Sequence, residues 1–244
     1  MANVRLIAIT KPTKDFAAET GCNTAEELIS YAARVSNPKN QSNFDTADKL
    51  LKYCADNEHW SIFEQAHAVL EVETTRDIAR QMLRHKTACF QEFSQRYQEV
   101  KLEDFIISEA RLQDTKNRQN SIDITDNYLQ EVWEHKQQNV ITAATDAYDW
   151  AIKNNLAKEV ARKVLPEGLT PTRLYMAAPI RTWITYINTR TDKSTQKEHR
   201  EIANMCYDVL VAELPVMKTL VKTKIEPVIW HQQLKSNLSK LFGK

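Results

Sequence analysis

Glycine is nearly missing. There are three in 244 residues, Gly21, Gly168 and Gly243, and none belongs to a G-x-G-x-x-G turn or a glycine-rich phosphate loop. Any nucleotide phosphate must therefore be held by side chains and ordinary backbone, without a Rossmann fingerprint. Cysteine lacks pattern: Cys22, Cys54, Cys89 and Cys206 are scattered with no C-x-x-C pair. That disfavours a zinc site or a disulfide framework, suits a reducing compartment, and leaves no metal expected. No base is fixed beside Cys89 by spacing, so a small apolar filler is expected there. Charge of one sign is missing too. With 33 basic and 32 acidic residues the formal net charge is +1, too low for a general polyanion binder, and no nucleic-acid partner is expected. No apolar run is long enough to span a bilayer and no secretory leader is visible, which gives no membrane partner and a cytoplasmic location as the expectation. Without repeats, low-complexity segments or a sharp change in composition, residues 1–215 read as one domain and 216–244 as a C-terminal extension of it.

What the chain does have is a dense stretch at 74–97, TTRDIARQMLRHKTACFQEFSQRY. Thr74 and Asp77 resemble a capped helix N-terminus. Ile78, Ala79, Met82 and Leu83 then supply an apolar side, while Arg76, Arg80 and Arg84 fall at i, i+4 and i+8 on a second stripe. Gln81 lies one turn from Arg84 and His85. A solvated basic face is the plain alternative. The run continues, however, into Gln91, Glu92, Ser94, Gln95 and Arg96 set among Phe90, Phe93 and Tyr97. Forked donors, hydroxyls and amides beside aromatics suit an anionic nucleotide: phosphate takes arginine, a uracil-like ring takes an amide or guanidinium edge, and a sugar takes a carboxylate.

Around this stretch the periodicities are ordinary. Val4 to Ile9 reads as a short strand. Thr24 and Glu27 open a helix running to Ser36 with Leu28, Ala32 and Val35 inward. Residues 46–57 form another helix, capped by Asp45 or Thr46. Ala66, Ala68, Leu70 and Val72 mark a half-buried strand. Residues 101–127 are polar and poorly periodic, a loop or irregular insertion. Leu129, Val132, Val140, Ala143, Ala147 and Trp150 mark a long helix, and Pro166 halts the helical turns of 158–165. Residues 172–177 have strand character. Ile180, Trp183, Ile184 and Ile187 then line a helix that Arg190 closes. Thr195 and Glu198 open the next helix, and a tail with Met217, Leu220, Val228 and Trp230, broken by Pro227, is expected to dock as a short helix.

The series Arg84-His85-Lys86, seven residues, Ser94-Gln95-Arg96 resembles the RHR-x7-S-x-R signature of flavin-dependent thymidylate synthases, with Lys86 where the pattern has arginine. Lysine lacks the planar fork, which implies a looser contact. The segment His59-Trp60-Ser61-Ile62-Phe63-Glu64 is similar to the family's H-x-[TS]-x-x-E, and Glu159 to Pro166 resembles its E-x-A-R-x-x-L-P. Pro179 and Thr185 stand where many relatives have Asn or His near the flavin ring. The resemblance implies an α+β fold, helices packed on a small antiparallel sheet, assembled as a homotetramer with shared active sites. It implies conversion of dUMP to dTMP, with methylenetetrahydrofolate as carbon donor, FAD as the redox cofactor and NADPH as reductant. It places Arg190 at the uracil edge as the catalytic charge. It places Gln81, Arg84, Glu92, Ser94, Gln95, Arg96 and Arg162 at the nucleotide, and His59, Ser61, Glu64, Arg84, His85, Lys86 and Glu92 at the FAD.

Overall fold

The computed structural model describes residues 2–100 and 104–222. Strand β1 (Asn3–Ile9) is followed by α1 (Lys14–Thr20), which ends on Gly21 at φ 77°, a left-handed position that glycine takes without strain. Helices α2 (Ala25–Ala33) and α3 (Ala47–Asp56) come next, then a 3₁₀ turn at Trp60–Glu64 and strand β2 (His67–Thr75). The dense stretch forms α4 (Arg76–Met82) and β3 (Cys89–Glu92). A hairpin, β4 (Arg111–Gln113) and β5 (Ser121–Asp123), precedes the long α5 (Asn127–Lys153) and the short α6 (Lys158–Ala161). Strand β6 (Pro171–Pro179), α7 (Ile180–Arg190), α8 (Lys197–Glu213) and α9 (Met217–Leu220) complete the order.

The main sheet is antiparallel throughout, in the order β1-β2-β6-β3. Alternation decides its faces. Ala68, Leu70 and Val72 of β2 and Leu174, Met176 and Ala178 of β6 are buried, and they pair in register as Ala68–Ala178, Leu70–Met176 and Val72–Leu174. Onto this face α7 lays the expected stripe: Ile180, Trp183, Ile184 and Ile187 are all buried. The indole of Trp183 donates to the carbonyl of Ala68 at 3.2 Å, tying helix to strand. The fold is therefore the expected mixture of helices on a small antiparallel sheet. No helix among the described residues is long and apolar enough to cross a membrane.

Several local expectations are corrected. The β2–β6 ladder continues through Thr74–Thr172 and Thr75–Pro171, so Thr74 belongs to the strand and α4 starts one residue later than the local pattern indicates. No side chain caps α4; the Thr75 hydroxyl instead donates to Asp77 at 2.5 Å. The helix stops at Met82, so Arg84 is not on the Arg76–Arg80 stripe. On α2 the buried positions are Ala25, Ile29 and Ser30, and Val35, beyond the helix end, is 69% exposed. Neither Asp45 nor Thr46 caps α3; the Thr46 hydroxyl instead accepts from Arg34, whose buried guanidinium also bonds Ser30 and the Asn43 carbonyl, pinning the intervening loop. No side chain caps α8, because Thr195 donates to the Thr189 carbonyl.

The polar region before α5 is not wholly irregular, since it carries the β4–β5 hairpin. Along α5 the buried residues are Gln137, Ile141, Ala144, Tyr148 and Ala151, whereas Leu129, Val140 and Trp150 of the expected stripe are exposed. Gln137 brackets Ser108, accepting from its N–H at 2.9 Å and donating to its carbonyl at 2.9 Å, the Tyr148 hydroxyl accepts from the Val100 N–H, and Tyr148 and Ala151 pack with Val100, Ala161 and Leu165 in a second, smaller core. Cys89 is exposed on the edge strand β3 and fills no core space. The tail carries the short helix Met217–Leu220; its residues from 223 on, Pro227, Val228 and Trp230 included, lie outside the described residues, as do residues 101–103.

Candidate active site

The chain leaves α4 through a series of turns, with His85 N–H bonded to the Met82 carbonyl and Ala88 N–H to that of His85. These turns bring the His85 ring to the C-terminal end of α7. There the Nε of Arg190 donates to His85 Nε2 at 2.9 Å. A guanidinium can only donate, so the imidazole is neutral, with its proton on Nδ1. Burial, and then the charge of Arg190, pull the His85 pKa down to about 4.

Behind this pair runs a buried brace. The Tyr186 ring packs edge-on against His85 with centroids 4.9 Å apart. Its hydroxyl lies 3.2 Å from His199 Nε2, and His199 Nδ1 lies 3.3 Å from Gln81 Oε1. The amide oxygen only accepts, so Nδ1 carries the proton and Nε2 accepts from the tyrosine hydroxyl. Gln81 also donates to Gln196 at 2.7 Å. His199 is fully buried, and burial, with the charges of Arg190 and His85, pulls its pKa down to about 3. Burial likewise pushes the Tyr186 hydroxyl well up. The result is a guanidinium held at Nε by a neutral ring, with its two terminal nitrogens making no protein hydrogen bond among the described residues.

A second group surrounds Glu92 at the end of β3. Its Oε1 accepts from Thr172 at 3.0 Å and from Arg76 at 3.3 Å, and Arg80 approaches Oε2 at 4.0 Å. Glu167 shares both arginines. A third group joins the end of the dense stretch to α6. Arg96 pairs with Glu159 at 3.6 Å and Lys158 donates to the Tyr97 carbonyl, which brings the Arg162 segment alongside Ser94–Arg96. Gln95 is buried, and its Nε2 has no partner among the described residues.

The remaining expected residues stand apart. His59, Ser61 and Glu64 are exposed in or beside the 3₁₀ turn, and Glu64 accepts from Arg181 at 2.6 Å. Arg181 opens α7 and Arg190 closes it, about 14 Å along the helix axis. Arg84 and Lys86 are exposed cations outside any ion pair among the described residues, and Arg162 is half-buried. Within one chain, therefore, His85, Gln81 and Arg190 are united, Ser94 to Arg96 meet the Arg162 segment, and the His59–Glu64 segment joins neither. Pro179 forms the entry to α7, and the exposed Thr185 donates to the Arg181 carbonyl. Sequence reasoning did not find Tyr186, His199, Gln196, Arg76 or Thr172 at these sites. A histidine nine residues after Arg190 carried no spacing signal, because the brace forms across α4, α7 and α8.

Comparison with known proteins gives the family. A family model described as Thymidylate synthase complementing protein matches residues 19–216. A probable flavin-dependent thymidylate synthase of Paramecium bursaria Chlorella virus 1 is 48% identical over 213 residues, covering 87% of this chain and 95% of the relative. A flavin-dependent thymidylate synthase of Synechocystis is 43% identical over 215 residues, covering 88% and 97%. Among solved structures, the UMP/dUMP methylase PolB of Streptomyces cacaoi bound with 5-Br dUMP superposes with a TM-score of 0.70 at 22% identity, covering 89% of this chain and 93% of that one, which is a likeness of fold. With the family model spanning most of the chain and two relatives above 40% identity along nearly their whole length, the chain belongs to the flavin-dependent thymidylate synthase family.

Proposed function

We propose that the protein methylates dUMP to dTMP, with methylenetetrahydrofolate as carbon donor, FAD as the redox cofactor and NADPH as reductant. The observation that carries this reading is the Arg190 guanidinium, fixed by a neutral His85 and opposed by no carboxylate within ion-pair distance among the described residues. A full positive charge held in place stabilises negative charge developing on a pyrimidine at N3 and its neighbouring carbonyl, and needs no reorganisation at the moment of reaction. The names of the relatives support the nucleotide and the flavin.

Ser94, Gln95, Arg96 and Arg162 serve the phosphate and sugar. The partnerless Gln95 amide is a donor awaiting an acceptor, which favours a ligand there. Arg84 and Lys86, uncommitted cations, fit the FAD phosphates, with Arg84 able to reach both ligands. His59, Ser61 and Glu64 complete the flavin pocket, and Glu92, anchored by Arg76 and Thr172, presents its second oxygen to ribose or flavin. Substrate contact from Gln81 requires exchange of its bond to Gln196 or His199; as it stands, Gln81 secures the brace. When bound, the flavin supplies the hydride-transfer chemistry. The protein binds, orients and polarises.

Assembly as a homotetramer with shared sites accounts for the separation of the Glu64 segment from Arg190. It also gives the exposed apolar side of α5, with Trp133, Val140 and Trp150, something to bury against. We read residues 1–215 as one domain and 216–244 as its extension, supported by a main core that draws on residues from Ala25 to Val221. The test is a visible absorption spectrum of the purified protein with a tritium-release assay on 5-tritiated dUMP in the presence of NADPH and methylenetetrahydrofolate. A flavin spectrum with dUMP-dependent release is expected. Flavin without release, or neither signal after FAD is added, overturns the reading.

A further inference from the structure

The β4–β5 hairpin and the start of α8 enclose a polar cleft of about 320 Å³ whose walls carry Arg111, Arg118, Lys193, Lys197 and Arg200 against one carboxylate, Asp123. Two of the five cations are already neutralised. Arg111 pairs with Glu109 and Glu198 at 3.3 and 2.5 Å, and Lys197 with Glu109 and Asp123 at 2.7 and 3.1 Å. Arg118, Lys193 and Arg200 belong to no ion pair among the described residues. Arg200 is held by neutral acceptors, the carbonyls of Lys193 and Thr195 at 3.3 and 3.2 Å, and its charge is partly offset by the nearby Asp192 carboxylate.

The hairpin loop is built to stay in place. Asp114 accepts from the N–H groups of Lys116 and Asn117, and Gln113 donates to the carbonyls of Asp114, Arg118 and Asn120. Asn120 Oδ1 is buried without a partner among the described residues, an acceptor suited to a sugar hydroxyl or an exocyclic amine. The 17-residue helix α8 starts at this cleft with no side-chain cap, so the unpaired N–H groups of its first turn add to the positive potential. The cleft adjoins the site already described, because Gln196 in its wall receives the hydrogen bond from Gln81 that begins the brace to Arg190.

We propose that this cleft binds the phosphomonoester of a nucleotide co-substrate. On the reading of function above, on which this rests, that group is the 2′-phosphate of NADPH. The phosphates of dUMP and FAD have their own donors in that reading, and the 2′-phosphate is the single group by which NADPH differs from NADH. Arg118 and Lys193, in no ion pair among the described residues, together with the backbone-held Arg200 suit a dianion. The neutral 2′-hydroxyl of NADH gains only ordinary hydrogen bonds from these groups, without the charge attraction.

The test uses the full-length protein and the double substitution Arg118→Gln with Lys193→Gln, two exposed side chains outside the brace. Calorimetric titration with 2′,5′-ADP and with NAD+, which carries no phosphomonoester, reads the cleft whether or not flavin is present. Loss of affinity of about tenfold or more is expected for 2′,5′-ADP, with NAD+ unchanged. Stopped-flow reduction of the flavin then shows a weakened NADPH dissociation constant and an unchanged one for NADH. Equal 2′,5′-ADP affinity in wild type and variant overturns the proposal. So does tri-γ-glutamate binding that the substitutions abolish while 2′,5′-ADP binding survives, which reassigns the cleft to a folate tail. A protein without flavin or dUMP turnover that still binds 2′,5′-ADP through these residues refutes the function above and leaves the cleft standing.

Discussion

His199→Gln tests the buried brace through acid. His199 is fully buried and neutral, with its pKa pulled down to about 3, whereas an unfolded histidine titrates near 6.5. Between those values the unfolded chain binds a proton that the folded chain refuses, so stability falls as pH drops below 6.5 and continues to fall until about 3. From pH 6.5 to pH 5 the loss is about 1.5 units at about 1.4 kcal/mol per unit, or about 2 kcal/mol. Glutamine does not titrate and loses this term. The raw pH slope of either protein is not the readout, because Glu26 works in the other direction. Its pKa is pushed up to about 7 by burial and by Asp48, so it gains stability as pH falls through that value. His85, pulled down to about 4, works with His199. Both groups remain in the variant and largely cancel when the two proteins are compared. The assay is urea unfolding at pH 7 and pH 5, at one protein concentration because subunit association enters the equilibrium. Wild type should lose about 2 kcal/mol more than His199→Gln across that interval, about 4–8 °C in melting temperature for a chain of this size. An identical change in the two proteins refutes the reasoning.

Arg190→Ala should retain the flavin spectrum and lose about 10²–10³ in dUMP-dependent tritium release, the scale of removing a transition-state charge contact; undiminished turnover removes Arg190 from that role. Arg96→Ala should weaken dUMP binding by about tenfold or more in an equilibrium titration, and an unaltered affinity takes Arg96 away from the phosphate. Glu92→Ala leaves Arg76, whose side chain is 8% exposed, with only the 3.8 Å contact to Glu167. A loss of about 3 kcal/mol in urea unfolding is expected, and a change below about 0.5 kcal/mol would show that the cluster does not hold β3.

The sequence by itself determined the parts whose cause is local. The stripe Ile180, Trp183, Ile184 and Ile187 required α7 to face the sheet, and alternation at 66–72 required β2 to bury one face, because side-chain direction follows from period alone. The position of Arg190 at a helix end was legible for the same reason, whereas the signature from Arg84 to Arg96 was legible through resemblance to a family. Only the tertiary structure decided where local preferences yield to partners distant in the chain. Pairing with β6 carried β2 past the Thr74 cap signal. The face that α5 buries is the one that meets Val100, Ser108, Ala161 and Leu165, not its apolar stripe. The brace of Gln81, Tyr186 and His199 belongs wholly to this second kind. Its hydrogen bonds join three helices, and the neutral state of its histidines comes from burial, a property that no spacing along the chain encodes.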